Sequence, residues 1–491
     1  MSGTPQSTMD TELDAVLAAA WDARAAMADL PLTTRADAMR AVADALDAAA
    51  GELVPVAGRE TKLAEARLSG ELARTTFQLR LLADVTQEGG FLEATIDPPD
   101  PDWPPAGRPD LRRMLLPVGP VAVYSASNFP FAFSVAGGDT AAALAAGCPV
   151  VLKAHSGHPE LSRQTGAVVA AALAEGGAPK GAFAVVYGQQ TGRTLIQDPR
   201  IKAGAFTGSL TGGRALFDLA CARPDPIPFY AEMGSVNPVF VTEAAATARA
   251  AEIADGYVGS YTLGAGQFCT KPGLLFVPDT PAADEIERRL TAAVAGLAEA
   301  PLLNDRIAAG YTEVLQALSG HRAIRVLHAG RDNGNGPSPT LLGTTAADLL
   351  ATFEELTTEC FGPTSIVVRY TDEAELLAAA RMFPGQLTAT VHGEDGDPVA
   401  GRLFAELTER AGRVLWNGWP TGVAVSYAMH HGGPYPATSM PAHTSVGTTS
   451  IRRFQRPVCY QNVPQHLLPE ALRDGNPLGI PQRVNGVLVL P

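Results

Sequence analysis

From residue 111 onward the chain alternates short apolar runs with longer helical ones, through two successive stretches. In the first, Val121-Ala122-Val123-Tyr124, Val150-Val151-Leu152-Lys153, Ala184-Val185-Val186-Tyr187 and 201–206 are separated by helical patterns at 139–146, 161–175 and 191–197. In the second, Pro238-Val239-Phe240-Val241, Leu274-Leu275-Phe276-Val277, 366–370, 388–391 and 412–416 alternate with patterns at 244–260, 282–298, 373–382 and 398–410. Strands that are apolar throughout and joined by helices need a parallel sheet covered on both faces. The expected fold class is therefore α/β.

Two flanking regions break this pattern. Residues 11–90 keep helical spacing, as in Leu13, Val16, Leu17 and Trp21, and are rich in Ala, Leu, Arg and Glu. Residues 97–110 are dense in proline and read as an extended excursion, and the tail from Ser450 to Pro491 loses the alternation. Such a tail is either disordered or laid on a partner subunit. A chain of 491 residues exceeds one ordinary core and divides into two or three domains.

A net charge of −14 disfavours nucleic acid and anionic membranes as partners. The five cysteines, Cys148, Cys221, Cys269, Cys360 and Cys459, are scattered without a C-x-x-C pair. That fits neither a disulfide framework nor a metal site, and it points to a reducing compartment. Residues 1–10 lack the basic-then-apolar order of a signal peptide, so the expected location is the cytoplasm. The uncharged run 114–138 contains Pro117, Pro120 and Pro130, which suit buried strands and loops rather than a membrane helix.

Six short stretches hold residues with chemistry to offer. In Leu263–Lys271 two glycines lead into Cys269, where a thiol can be reached and backbone N–H groups can face a reacting atom. Taken alone, an inert cysteine is the commoner case. Asn128, before Phe129-Pro130, offers an amide donor for an oxyanion, or a turn-forming side chain. Lys153 ends a strand on the side where parallel sheets bind ligands, or is a snorkelling lysine. Gly208-Ser209 opens a helix whose N–H groups suit an anion, or is a plain helix start. Glu232 lies among small and apolar residues, where a raised pKa suits a general base; a solvated boundary glutamate fits too. In Thr358–Pro363, Glu359 could accept from ribose hydroxyls and Phe361 could pack on a flat ring, or the pair is a surface acid beside a core aromatic.

In this order and spacing the six stretches resemble the NAD(P)-dependent aldehyde dehydrogenase superfamily. Within it, Thr75–Leu81, Arg108–Met114, Ala231–Pro238, Leu263–Pro272, Gly432–Thr438 and Pro457–Asn462 are similar to the branch of α-ketoglutaric semialdehyde (2,5-dioxovalerate) dehydrogenases. The resemblance implies a Rossmann-type cofactor domain (1–98 and 118–234), an α/β catalytic domain (235–449), and a small β oligomerisation element with the C-terminal tail (99–117 and 450–491). It implies that Cys269 is the nucleophile, Glu232 the general base and Asn128 the side-chain half of an oxyanion hole. Lys153 and Glu359 match holders of the two cofactor riboses, Phe361 the neighbour of the nicotinamide, Gly208-Ser209 the pyrophosphate-side helix start, and Asn417 a structural asparagine near the site.

The chain departs from the family pattern at two places. NAD-using members carry a glutamate three residues after the lysine; here it is Ser156, which does not repel the extra phosphate of NADP. NADP+ is the expected cofactor and NAD+ an accepted one, with Arg193 a weaker phosphate ligand. The other is Gly432-Gly433-Pro434-Tyr435-Pro436, which replaces a longer glycine motif. The expected reaction is oxidation of 2,5-dioxopentanoate to 2-oxoglutarate. Another semialdehyde, a fatty or aromatic aldehyde, or non-redox thioester or ester hydrolysis are the alternatives. Arg80 is the candidate for the substrate carboxylate, and a homodimer or homotetramer is expected. Lys271 has no role at this level.

Overall fold

The apolar runs of the first stretch build a five-stranded parallel sheet. A computed structural model describes residues 7–491. The strand order is Phe183–Val186, Val150–Lys153, Val121–Tyr124, Ala203–Thr207, Phe229–Glu232. The first strand in sequence lies in the middle, with later ones added on one side and then on the other. Loops leaving the central strand ends diverge there and open a crevice at the C-terminal edge. Register pairs Tyr124 with Lys153 and with Phe206, and Thr207 with Glu232, so these strand ends lie side by side.

Alternation along each strand divides the core in two. Val121, Val123, Val150, Leu152, Ala203 and Ala205 pack against the helices Leu32–Ala48, Gly138–Ala146 and Pro159–Glu175. Ala122, Tyr124, Val151, Phe229 and Ala231 pack against Asp10–Ala28, Gln189–Gln197 and Leu210–Cys221.

The second stretch forms a seven-stranded sheet in the order Arg325–His328, Thr340–Thr345, Thr364–Tyr370, Leu274–Pro278, Val239–Val241, Gln386–His392, Ala411–Trp416. All neighbours are parallel except the first pair. Arg325–His328 and Thr340–Thr345 escape the sequence reading because the first is an edge strand with two exposed residues and the second is rich in threonine and glycine. Residues 233–238 lead from the last strand of the first sheet into Val239–Val241, so the C-terminal edge of the first meets the N-terminal edge of the second.

A third sheet runs Gln455–Gln461, Leu111–Pro117, Thr95–Asp97, Gln482–Val484, Val487–Val489. The tail is ordered here: Gln455 to Gln461 pairs antiparallel with all of Leu111–Pro117, and the chain returns as a terminal hairpin. Thr95–Asp97 also pairs in this sheet, so the element begins before residue 98. Among the described residues no helix is long and apolar enough to cross a membrane.

Candidate active site

The turn before Cys269 is left-handed at three successive residues. Gly264, Ala265 and Gly266 have φ of 58°, 55° and 67°. Glycine is required at 266, where a Cβ would lie 2.2 Å from the Gly362 carbonyl oxygen. Ala265 in this region is strained, and its surroundings hold it there. Gln267, buried, accepts from the Leu303 N–H at 2.9 Å and donates to the Gly264 carbonyl at 3.1 Å. Cys269 follows, a free and partly accessible thiol.

Two buried side chains clamp this loop to the second sheet. Asn237, itself left-handed with φ 51°, donates through Nδ2 to the carbonyls of Cys269 (2.8 Å) and Lys271 (3.0 Å). Its Oδ1 accepts from Thr388 and Ser235. Lys271 Nζ donates to the carbonyls of Cys360 (2.6 Å), Gly362 (3.2 Å) and Thr364 (2.8 Å). Burial pushes the Lys271 ammonium below its ordinary value, with the nearby Glu359 partly opposing this. Lys271 thus joins the cysteine loop to the loop carrying Glu359 and Phe361, a role its position in sequence does not reveal.

Glu232 ends the strand Phe229–Glu232, buried and facing Cys269. His431 Nε2 lies 3.0 Å from Glu232 Oε1 and 3.6 Å from Cys269 Sγ, and Ser445 Oγ donates to Glu232 Oε2 at 2.7 Å. Burial pushes the Glu232 carboxyl up, but His431 and the hydrogen bonds from His431, Ser445 and Cys269 outweigh it and hold the group below the ordinary carboxylate value. Burial and the Glu232 charge push the Cys269 thiol well above its usual value, so it rests protonated beside an ionised carboxylate. The expected raised pKa of Glu232 is therefore corrected: its neighbours keep it charged.

Asn128, buried, donates from Nδ2 to the Gln267 carbonyl at 3.1 Å, which places its amide at the cysteine loop. The helix Glu65–Glu88 supports it. Arg67 donates to the Asn128 carbonyl at 2.7 Å, and its guanidinium sits 5.0 and 4.8 Å from the ring centres of Phe129 and Phe268. Glu71 Oε1 accepts the N–H groups of Phe131 (2.8 Å) and Ala132 (3.0 Å). Burial raises the Glu71 carboxyl to about 7 despite those bonds.

The cofactor candidates line the crevice. Half-buried Lys153 ends its strand, and burial and the charge of Arg306 push its ammonium down. Ser156 is exposed three residues on, and Arg193 is exposed on Gln189–Gln197. The Gly208 N–H donates to the Glu232 carbonyl, and Ser209 caps Leu210–Cys221 by accepting from the Gly212 N–H at 3.2 Å. A Cβ at Gly208 would meet the Phe206 ring at 2.7 Å. Partly buried Glu359 lies beside Gly234, where a Cβ would come within 2.5 Å of Oε2, and burial raises its carboxyl to about 7. Phe361 is partly buried on the same loop. A cation, an open helix start and a carboxylate along one crevice fit a dinucleotide.

One sequence expectation is corrected. Arg80 bridges Asp44 (2.5 Å) and Asp47 (2.7 Å) on the neighbouring helix Leu32–Ala48, so its guanidinium is engaged on the helix surface rather than at the cysteine loop. Asn417 binds the Gly393 backbone and Arg249, and the cysteine loop itself is held by a different asparagine, Asn237. His431 was missed altogether. Its signal was the His430-His431 pair directly before the unusual Gly432–Pro436 motif, which runs back along Glu232 through the Met233–Ala437 bond.

A family model described as "Aldehyde dehydrogenase family" matches residues 2–435. The chain belongs to the aldehyde dehydrogenase family. It is 46% identical over 486 residues to an alpha-ketoglutaric semialdehyde dehydrogenase of Acinetobacter baylyi, covering 98% of this chain and 92% of that one. It is 47% identical over 466 residues to alpha-ketoglutaric semialdehyde dehydrogenase 2 of Azospirillum brasilense, covering 93% and 88%. Its fold is similar to that of aldehyde dehydrogenase 21 from Physcomitrella patens in complex with succinate (TM-score 0.79, 22% identity, 93% and 92% covered). It is also similar to NADP-dependent glyceraldehyde-3-phosphate dehydrogenase from Bacillus halodurans complexed with NADP (TM-score 0.78, 23% identity, 93% and 92% covered). Aldehyde dehydrogenases oxidise an aldehyde to a carboxylate with a nicotinamide dinucleotide and a cysteine nucleophile. The α/β fold expected from the alternating runs is the aldehyde dehydrogenase fold.

Proposed function

We propose that this aldehyde dehydrogenase oxidises 2,5-dioxopentanoate to 2-oxoglutarate, with NADP+ preferred and NAD+ accepted. Cys269 beside ionised Glu232, with the Asn128 amide hydrogen-bonded to the cysteine's loop, is the observation that carries the chemistry. The identity of 46% and 47% to two α-ketoglutaric semialdehyde dehydrogenases supports the substrate.

Glu232 takes the Cys269 proton, and the thiolate adds to the aldehyde carbon. The carbonyl oxygen becomes an oxyanion that accepts from Asn128 Nδ2 and the Cys269 N–H. The nicotinamide dinucleotide supplies an acceptor for the hydride of the aldehyde C–H. The carbonyl then reforms as a thioester on Cys269. Glu232, having released the thiol's proton to solvent, deprotonates the water that attacks the thioester, and the thiolate departs as the acid forms. His431 and Ser445 keep Glu232 ionised between these steps. Lys153 and Glu359 hold the cofactor riboses, Phe361 backs the nicotinamide, and Gly208 and Ser209 receive the pyrophosphate. Ser156, three residues after Lys153, would donate to the NADP phosphate and Lys153 would pair with it, where a glutamate would repel it; Arg193 is a weaker candidate.

In this reading residues 1–94 and 118–234 bind the cofactor and 235–449 supply the nucleophile. Residues 95–117 and 450–491 join copies into a homodimer or homotetramer. Val487, Leu488, Val489 and Leu490, 45% to 67% exposed at a sheet edge, support that contact. Five free thiols support a reducing cytoplasm. The test of the mechanism is Glu232→Gln, which should slow both alkylation of Cys269 by iodoacetamide and NADPH formation from aldehyde and NADP+. Wild-type rates of both would count against Glu232 as the base.

A further inference from the structure

Two arginines from different elements reach one loop, residues 420–423. Arg74, on Glu65–Glu88, donates to the Val423 carbonyl at 3.3 Å. Arg413, on Ala411–Trp416, donates to the carbonyls of Pro420 (2.5 Å) and Gly422 (3.0 Å). Each keeps one nitrogen shielded from water and without an acceptor among the described residues: Nη1 of Arg74 and Nε of Arg413. A buried charged donor left unpaired is costly, so two of them beside one loop mark a place made for an anion.

The geometry ties both to the reacting sulfur. The Arg74 guanidinium lies 5.5 Å from the centre of the Phe133 ring, and that ring is 6.3 Å from the His431 ring. His431 is the group 3.6 Å from Cys269 Sγ. Arg74 lies within electrostatic reach of ionised Glu232, and both arginines lie within reach of Cys269 once it is a thiolate. Arg67 also has an unpaired Nη1, but its plane is held between Phe129 and Phe268, and it serves to position Asn128.

We propose that Arg74 and Arg413 form the anion end of the aldehyde site and hold the far carboxylate of the semialdehyde. The proposal rests on the reading of Cys269 as nucleophile. It replaces Arg80, which points to another helix. A carboxylate accepts one guanidinium N–H on each oxygen, and its chain then leads back to the sulfur. An uncharged aldehyde of the same length leaves both donors unpaired.

The test compares 5-oxopentanoate with pentanal in the wild type, Arg74→Met, Arg413→Met and Arg74→Lys. The ratio of kcat/KM between the two substrates should fall about 100-fold in either methionine variant, mainly through KM, and should partly recover with lysine. A second reading needs no turnover. Glutarate should slow alkylation of Cys269 by iodoacetamide in the wild type and lose about tenfold or more in potency in each methionine variant. Equal losses on both aldehydes with unchanged glutarate protection would overturn the proposal. Failure of the wild type to prefer 2,5-dioxopentanoate over 5-oxopentanoate would instead count against the named substrate and leave the carboxylate anchor standing.

Discussion

His431 Nε2 lies 3.0 Å from Glu232 Oε1, and both side chains are almost wholly shielded from water. A buried carboxylate would ordinarily take up a proton near neutrality; this one is held ionised by its partner. The pair explains how Glu232 can serve a thiol and then a water without resting in the neutral form.

His431→Gln should therefore raise the Glu232 pKa, because a group that lowers it is removed while burial remains. The acidic limb of the kcat–pH profile should move to higher pH, and kcat at neutral pH should fall by about 10²-fold or more. An unmoved acidic limb would dissociate His431 from the base.

Lys271→Met leaves three buried carbonyls, those of Cys360, Gly362 and Thr364, without their shared donor. The expected loss is roughly 3 kcal/mol of stability, together with a higher KM for the cofactor as the Glu359 loop loosens. Chemical denaturation and cofactor titration measure the two effects.

Glu71 is neutral in the folded protein up to about pH 7, whereas in the unfolded chain it ionises near the ordinary glutamate value of 4.5. The folded state holds the extra proton between those values, so this group's contribution to stability is full below 4.5 and is lost as pH rises through 7. Glu71→Gln cannot ionise. Its stability relative to wild type should rise by about 3 kcal/mol between pH 4.5 and 7 and then level off. A pH-independent difference in denaturant midpoints would refute this.

Arg80→Ala should cost less than about 1 kcal/mol, because its two ion pairs with Asp44 and Asp47 are exposed. Kinetics on any semialdehyde should not change. Ser156→Glu, by contrast, should lower kcat/KM for NADP+ far more than for NAD+.

Much of the fold was legible because buried parallel strands are written as unbroken apolar runs, as at Val150–Leu152 and Leu274–Val277. The strand Thr340–Thr345 was not, since it buries threonines and a glycine that look like a loop in sequence. Cys269, Glu232 and Asn128 lie in short motifs with distinctive neighbours and could be named as candidates from the chain alone. Asn237, Lys271 and His431 could not be given roles, because their roles depend on partners far away in sequence: Cys269, the Cys360–Thr364 loop and Glu232. Arg80 and Arg74 lie on one helix, and only the direction of each around the helix axis separates a surface ion pair from a side chain facing the site.

On the proposed function, this chain is a semialdehyde dehydrogenase built on Cys269. The direct measurement is kcat/KM by NADPH absorbance for 2,5-dioxopentanoate, 5-oxopentanoate, pentanal and benzaldehyde, each with NADP+ and with NAD+. The expected result is 2,5-dioxopentanoate highest, NADP+ above NAD+, and all activity lost in Cys269→Ser. Absence of NADPH and NADH from every aldehyde, or undiminished turnover in Cys269→Ser, would contradict it.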